Sequence, residues 1–327
     1  MATTFKNLLT TDVASTRTLL NEALPITGTI VSGTYDDLNI KYYAHGMFES
    51  VYDYPYQSSS ANRIFDLTYG YASNLSSSLH ATNAKKLNIY SELALVLMGT
   101  DTNGQVRLFD GDGDLAGTTT DKMDSCFFIP YGRLLTKDDI KKGSYTIEFA
   151  TGVDTFTFGD YGAETEYRVN SPAGEYGILY TASAAVEGTG LGLIYYQAGI
   201  VVLSASDNWF GGNQTKLVTG SYSITGACDK LREFWVDNNF QNTTELNSTI
   251  YFCRANAAEF NYSSNPTYLS QSQIRVKNED ALANPRTYIT TIGLYSPDNE
   301  LLATAKLSEP IQKDPTNALT FRVRLDY

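Results

Sequence analysis

The run from Arg286 to Leu307 decides the fold class of this chain: Arg-Thr-Tyr-Ile-Thr-Thr-Ile-Gly-Leu-Tyr-Ser-Pro-Asp-Asn-Glu-Leu-Leu-Ala-Thr-Ala-Lys-Leu. Two segments rich in Thr, Ile, Leu and Tyr flank the tetrapeptide Ser296-Pro-Asp-Asn299. Proline suits the second position of a turn, and Asp and Asn can follow it. The run therefore predicts a β-hairpin.

The end of the chain predicts a further strand. Apolar and polar residues alternate here, with Leu319, Phe321, Val323 and Leu325 on one face and Thr320, Arg322 and Arg324 on the other. This alternation is typical of a half-buried strand. In a chain of net charge -12, the two arginines are expected to face acidic surface, either of this chain or of a neighbouring subunit. Arg322 and Arg324 are therefore candidate interface residues.

The wider sequence favours a mainly β protein with a few helices (α+β), built from antiparallel sheets or a β-sandwich. We expect helices over Thr11–Leu24, Ala81–Met98, Thr136–Lys142 and Asp229–Phe240. Strands are expected over residues 126–130, 144–149, 154–158, 177–180, 221–225 and 249–253. Residues 191–203 are expected to form two central strands or one long bent strand, with Gly199 at the bend. The change of pattern near Gly143 predicts a mixed α/β N-terminal domain (1–143) with a core helix over 81–98, followed by a β-rich domain (144–327).

Composition and charge exclude several classes of protein. The 327 residues include 36 acidic and 24 basic side chains without a basic stripe, which disfavours binding to nucleic acid. The N-terminus lacks the pattern of a signal peptide, and no apolar run approaches the roughly 18 residues of a membrane span. Three cysteines, an odd number without metal-type spacing, indicate buried thiols in a protein made in the cytoplasm: Cys126, Cys228 and Cys253.

The segment Asp110-Gly-Asp-Gly-Asp114 is a weak candidate for a metal site. Oxygen ligands at alternate positions suit calcium, and Asp121 stands twelfth if Asp110 is first. However, the sixth position is Leu115, where a calcium loop of this kind needs glycine. Turns between strands have the same composition. We therefore expect a turn at Asp110, Asp112 and Asp114, and neither a metal nor another cofactor.

No set of residues in the sequence indicates catalysis. His45 and His80 each lack a second ligand or a partner carboxylate, so a structural role is expected. Glu164 and Glu166 are two apart and are expected on one exposed strand face, as solvated charges. The glycines of residues 188–192 lack the spacing of a nucleotide-binding loop. We therefore expect no enzymatic activity and no catalytic residues.

The hairpin sequence resembles a known family of proteins. Residues 289–307 (ITTIGLYSPDNELLATAKL), preceded by Phe260-Asn-Tyr-Ser-Ser-Asn-Pro-Thr-Tyr268 and closed by FRVRLDY, are similar to the C-terminal region of virion structural proteins of large contractile-tailed, T4-like bacteriophages. Residues 86–90, 126–130 and 133–143 resemble the same proteins. The resemblance implies a virion component, assembled in the bacterial host cytoplasm, whose partners are other copies of itself and other virion proteins. It names no catalytic residue.

Two functions follow from these observations. The first is a structural protein of the neck, tail or baseplate, which acts through subunit contacts made by Tyr-rich loops and exposed strand edges. Tyr262 and Tyr268, in a loop expected over residues 261–269, are its candidate aromatic contacts. The second is a tail-fibre or head-decoration adhesin that binds a host surface receptor or glycan. Trp209 and Trp235 could then stack on sugar rings.

Overall fold

The computed structural model describes residues 5–27, 38–73, 75, 81–115, 122–152, 154–181, 190–205, 210, 217–218, 222–262, 269–270, 273–274 and 285–327. Helices cover α1 (Ala81–Leu97), α2 (Arg133–Thr136) and α3 (Ile224–Phe234). The strands before α2 are β1 (Val13–Thr27), β2 (Ile40–Tyr42), β3 (Glu49–Tyr52), β4 (Arg63–Tyr71), β5 (Phe109–Asp110), β6 (Lys122–Met123) and β7 (Ser125–Pro130). Those between α2 and α3 are β8 (Asp139–Ile140), β9 (Thr146–Thr151), β10 (Asp154–Gly159), β11 (Arg168–Ser171), β12 (Gly174–Thr181), β13 (Gly192–Tyr195) and β14 (Ile200–Ser204). The last are β15 (Trp235–Ala255), β16 (Leu269–Ser270), β17 (Gln273–Ile274), β18 (Thr287–Tyr295), β19 (Leu301–Lys313) and β20 (Leu319–Asp326). The mainly β fold class with antiparallel sheets is confirmed.

The chain forms two compact units, and their boundary differs from the predicted one at Gly143. The larger unit is Leu19–Thr244, and the smaller combines Met1–Thr18 with Glu245–Tyr327. Residue 143 lies inside the larger unit, because β7 pairs on one side with β4 and on the other with β14, which come from opposite sides of that position. The change in local pattern near residue 143 therefore marks no break in the sheet.

One antiparallel sheet organises the larger unit. Its strands follow the order β2, β3, β4, β7, β14, β13, β12, β10, β9 and then the first part of β15. β13 and β14 form a hairpin in which Gly199 has a φ of +65°, which confirms the predicted bend. Helix α1 packs on β4 where Gly70 brings the two backbones together. A Cβ atom at this position would lie 2.8 Å from both the Lys86 carbonyl oxygen and the Tyr90 nitrogen.

Aromatic side chains fill the core of this unit. Among the residues that the structure describes, nine tyrosines are buried, so the abundance of tyrosine in the chain (24 residues) reflects the core as well as the surface. Most of their hydroxyls find a hydrogen-bond partner, as is usual for buried tyrosines: Tyr90 donates to the Met123 carbonyl, and Tyr196 donates to Asp160. Trp235 is buried and stacks on Phe65, with 4.9 Å between ring centroids.

Three of the predicted helices need correction, and the fourth is confirmed. Residues 11–24, predicted as a helix, form a 3-10 turn and then β1, because this segment joins β15 as a neighbouring strand. The Glu22 amide, for example, donates to the Asn242 side chain. Residues 81–97 form α1, in agreement with the helix predicted over 81–98, with Ala94 and Leu97 buried and Val96 exposed.

The other two predicted helices are displaced along the chain. Of the helix predicted over 136–142, only Thr136 is helical: α2 ends there, Lys137 takes a φ of +55°, and Ile140 pairs with Asn242 of β15. The helix expected at 229–240 occurs earlier, as α3, and gives way to β15 at Trp235. The predicted strand at 221–225 is therefore wrong. Ser223 is the N-cap of α3, since its Oγ accepts from the Gly226 amide.

The smaller unit contains the two elements predicted at the end of the chain. The β18–β19 hairpin is confirmed, with a turn closed by the Asn299 amide donating to the Ser296 carbonyl. β20 pairs antiparallel with residues 248–255 of β15. Its burial alternates as predicted: Val323 is buried, whereas Arg322 and Arg324 are exposed.

Candidate functional site

The β18–β19 hairpin is the largest exposed β element of the smaller unit. Among the residues that the structure describes, β18 pairs with β19 alone. Ile292 lies opposite Ala305, and Leu294 lies opposite Ala303, so these four side chains share one apolar face. All four are only half-buried. An apolar face that stays partly exposed is the usual mark of an interaction surface.

The tip of the hairpin carries a second group of apolar side chains, which we call the tip cluster: Phe5, Tyr295 and Leu301. Tyr295 and Leu301 are cross-strand neighbours. Both lie over Gly293, since a Cβ at that position would be 2.9 Å from Tyr295 and 3.2 Å from Leu301. The ring of Phe5 meets that of Tyr295 edge to face at 4.9 Å. About half of each side chain remains exposed (Phe5 50%, Tyr295 46% and Leu301 53%).

The two strands of the hairpin differ in how well their outer edges are protected against the addition of another strand. β19 carries Lys306, Glu309 and Pro310, and both register shifts of the hairpin leave the extra residues on β19. Charges, proline and bulges are the devices with which proteins protect sheet edges. β18 reads Thr-Tyr-Ile-Thr-Thr-Ile-Gly-Leu-Tyr and contains none of them. The edge of β18 is therefore the unprotected one.

The predicted interface residues are placed as follows. Arg324 is exposed but has partners within its own chain: its Nε lies 2.7 Å from Asp326 Oδ1, and its Nη2 donates to Ser248. Arg322 is exposed and has no ion pair among the described residues. Tyr262 is 37% exposed. Tyr268 lies outside the described residues.

The loop around Tyr262 is fastened by a buried lysine. The Lys313 ammonium donates to Asn261 Oδ1 at 2.7 Å and to the Ala257 carbonyl at 3.1 Å. Desolvation lowers the pKa of Lys313. Because Lys313 is the last residue of β19, these bonds attach the base of the hairpin to the loop.

The acidic loop brings its three carboxylates together. One ligand atom from each of Asp110, Asp112 and Asp114 lies within 4.8 Å of the others. Asp110 is buried, its Oδ2 lies 2.8 Å from the Lys122 ammonium, and it accepts from the Leu115 amide. Burial raises the pKa of Asp110, and Lys122 opposes that effect. Leu115 itself takes the left-handed backbone (φ +62°) that glycine would favour. Asp121 lies outside the described residues.

The lysine thus already compensates the charge of the most buried carboxylate. A cation in this loop would have to compete with the ammonium of Lys122 for Asp110. The arrangement is explained by closure of the loop between β5 and β6, which pair through Asp110 and Lys122.

The remaining candidates have structural partners. The Nδ1 of His45 accepts from the Met47 amide. Glu164 and Glu166 lie in a turn before β11 and not on a strand, which corrects the prediction, and Glu166 is 3.6 Å from Arg168. Cys126 and Cys228 are buried and Cys253 is half-buried, all as free thiols. His80, Trp209 and residues 188–189 lie outside the described residues.

Two buried charged groups of the larger unit were missed by sequence reasoning. Lys86 is fully buried, and its ammonium donates to the carbonyls of Leu217 and Tyr222. Desolvation lowers the pKa of Lys86 to about 8. Arg232 of α3 lies 2.6 Å from Glu49 of β3, and burial raises the pKa of Glu49 to about 7. Both groups contact elements that are distant in the sequence, so the pattern of neighbouring residues does not predict their burial.

None of the helices in the described ranges is long and apolar enough to cross a membrane. Comparisons of the chain with models of protein families, with curated proteins and with solved structures find no match.

Proposed function

We propose that the protein is a structural subunit of a tailed-bacteriophage virion, in the neck, tail or baseplate, and that it acts through contacts between subunits. The resemblance of residues 289–307, 260–268 and 321–327 to virion proteins of contractile-tailed phages supports the choice of particle. Its partners would be other copies of itself and other virion proteins. The net charge of -12 argues against a role in contacting the genome.

The observation that carries the proposal is the exposed hairpin. It presents apolar side chains on its face and at its tip, and an unprotected strand edge along β18. An unprotected strand edge is a disadvantage to a soluble monomer, because other chains can pair with it. A subunit of an assembly can use the same backbone groups for affinity and the side chains for specificity. The proposal assigns the chain no catalytic role.

The adhesin alternative is less well supported. Stacking on sugar rings needs an accessible aromatic face, and Trp235 is 2% exposed within the core. Exposed tyrosines such as Tyr54 and Tyr288 could still contact a glycan. However, no described group of polar side chains surrounds them in the manner of a sugar site. Binding on a glycan array at micromolar protein would favour this alternative.

Particle composition tests the proposal. Phage particles purified from the host that produces the chain would be analysed by quantitative mass spectrometry and by labelling with an antibody against it. We expect a fixed number of several copies per particle, located at the neck, tail or baseplate. A chain that is abundant in the lysate and absent from purified particles would refute the proposal.

A further inference from the structure

The outer edge of β18 can accept another strand. Its nine residues are rich in Thr, Ile and Tyr and contain no charge and no proline. Segments of this kind have a high tendency to add a strand. Within the described part of the chain, only the edge toward β19 is used. The other edge therefore offers a row of backbone donors and acceptors to a partner strand.

The stability of the hairpin also favours an added strand. An isolated two-stranded hairpin is marginally stable in water, whereas three or more strands with an apolar face are stable. Ile292 and Leu294 are half-buried on such a face. If β18 pairs with a second β18, the product has four strands, and the apolar face doubles in width without a break.

Charge indicates that the occupant is a second copy of this chain. Two copies of charge -12 repel each other over most of their surfaces, so they can approach only where charge is low or complementary. β18 is neutral, and its two ends are flanked by opposite charges, Arg286 before the strand and Asp298 in the turn after it. Both side chains are exposed.

These flanking charges also select the direction of pairing. In a parallel pair, Arg286 would lie beside the partner's Arg286 and the two turns would meet, so like charges would face each other. In an antiparallel pair, Arg286 would reach the partner's Asp298, and Asp298 would reach the partner's Arg286. Opposite charges directly across a strand pair are stabilising and like charges are destabilising.

We propose that β18 pairs antiparallel with β18 of a second copy, around a two-fold axis at Ile292, to form a continuous sheet in the order β19, β18, β18, β19. In this register Ile292 faces the partner's Ile292, Thr290 faces the partner's Leu294, and Arg286 lies beside the partner's turn, which carries Asp298. The contact is isologous, because each copy uses the same surface. The pairing would be the contact between copies of the proposed assembly subunit. It therefore rests on the proposed function, although the experiments below test it separately.

A charge-reversal pair tests the proposal within the full-length protein. Arg286→Glu places two like charges at each end of the pair, and Asp298→Arg does the same with the opposite sign. We expect each single variant to weaken self-association roughly tenfold, measured by sedimentation equilibrium at low salt. The double variant, Arg286→Glu with Asp298→Arg, restores both pairs and should return to within about threefold of the unchanged protein.

The rescue would be specific to contact between copies. The nine residues of β18 separate its two ends by about 30 Å, so Arg286 and Asp298 of one chain are too far apart to interact across that distance in salt. Lys306→Glu, an equal charge reversal on the protected strand β19, is the matched control and should leave association unchanged. Circular dichroism would verify that every variant is folded.

Cross-linking tests the register independently. In a background with Cys253→Ser, Ile292→Cys should form a covalent dimer on mild oxidation, since directly opposed residues of antiparallel strands have Cα atoms about 4.5 to 5.5 Å apart. Thr304→Cys, on β19, should not. Monomeric behaviour of the unchanged protein at all concentrations would overturn the proposal. So would failure of the double variant to restore association, or cross-linking at Ile292 no greater than at Thr304.

The two proposals fail in different ways. A protein that pairs through β18 but is absent from purified particles would refute the virion function and leave the pairing intact. A protein present in the particles whose association is indifferent to Arg286 and Asp298 would refute the pairing alone. Association through another strand of the virion would appear as cross-linking of Ile292→Cys to a different protein in particles, with none in the purified chain, and would also overturn it.

Discussion

Two strands of this molecule, β7 and β18, are both rich in aromatic and β-branched residues, but they differ in burial. β7 reads Ser-Cys-Phe-Phe-Ile-Pro and lies between β4 and β14, and its residues from Ser125 to Ile129 are all buried. β18 is also aromatic and β-branched, but it has one neighbour among the described strands, and only its Thr287 is buried. A strand's residue types thus predict that it is a strand, whereas the number of its neighbours decides its burial. An apolar strand with one neighbour points to a partner outside the chain.

The largest expected difference in stability is between two Leu→Ala substitutions, one in the sheet of the larger unit and one on the hairpin. Leu203→Ala, in β14 beside β7, removes a side chain that is 1% exposed, and it should lower the free energy of unfolding by about 2 to 5 kcal/mol. Leu302→Ala on the hairpin, where the side chain is 69% exposed, should change it by less than about 0.5 kcal/mol. Urea denaturation of both variants makes the comparison. Equal losses would show that the hairpin is packed as tightly as the sheet.

A buried carboxylate makes the larger unit sensitive to pH. Asp160 is 2% exposed and accepts from the amides of Gly143 and Tyr145 and from the Tyr196 hydroxyl. Burial raises the pKa of Asp160 to about 6, above the ordinary value of 3.8. Between these two pH values the folded state binds more protons than the unfolded state. This group's contribution should therefore make stability fall by about 2 to 3 kcal/mol as the pH rises from 4 to 6.

Asp160→Asn provides the check on that slope. The variant cannot titrate, so its stability should change less over this range when measured by denaturation at each pH. Tyr196→Phe keeps the carboxyl group and should keep the slope. If the Asn variant retains the full slope, another group is responsible.

Glycine substitutions compare the packing of the two regions directly. Gly70→Ala puts a methyl group 2.8 Å from backbone atoms of α1, which can yield only if the helix moves, and overpacking of this kind costs about 1 to 3 kcal/mol. Gly293→Ala meets only the ends of the Tyr295 and Leu301 side chains, which are exposed and can turn away. We expect a clear fall in Tm for the first variant and a small change for the second. The reverse order would contradict the account.

The smallest expected effect concerns the acidic loop. Since Lys122 pairs with Asp110, the Tm of the unmodified protein should be the same in calcium and in EDTA. Differential scanning calorimetry would measure it. A rise of several degrees in calcium, lost in a variant with Asp112→Asn and Asp114→Asn, would show that the three carboxylates hold the ion despite the lysine.

The parts of the fold that were predicted correctly are those whose signal is local. The hairpin has its turn at Ser296–Asn299, and β20 alternates over seven residues, so neighbouring positions contain the whole pattern. The segment 11–24 has a pattern that also suits a helix, and pairing with β15, more than 200 residues away, makes it a strand. Lys86 and Arg232 are buried against Leu217 and Glu49, which are 131 and 183 residues away in the sequence. Such contacts leave no trace in the spacing of nearby residues.

The candidate interface was also predicted only as far as local sequence patterns allow. Sequence alternation placed Arg322 and Arg324 on an exposed face, but it could not show that Arg324 is occupied by Asp326. The importance of Arg286 and Asp298 depends on knowing that β18 has a vacant edge among the described strands. The sequence shows an uncharged strand between two opposite charges. That pattern indicates an interface only once the strand pairing of the sheet is known.

Hydrogen exchange of the backbone amides tests the central claim most directly, because it compares β7 and β18 in one sample. The amides of β7 should exchange slowly at every protein concentration, since both of their edges are paired within the chain. Those of β18 should exchange quickly in dilute protein and become protected as the concentration rises, and Arg286→Glu should shift this gain to a roughly tenfold higher concentration. Amides of β18 that are as protected as those of β7 in dilute protein would contradict the account.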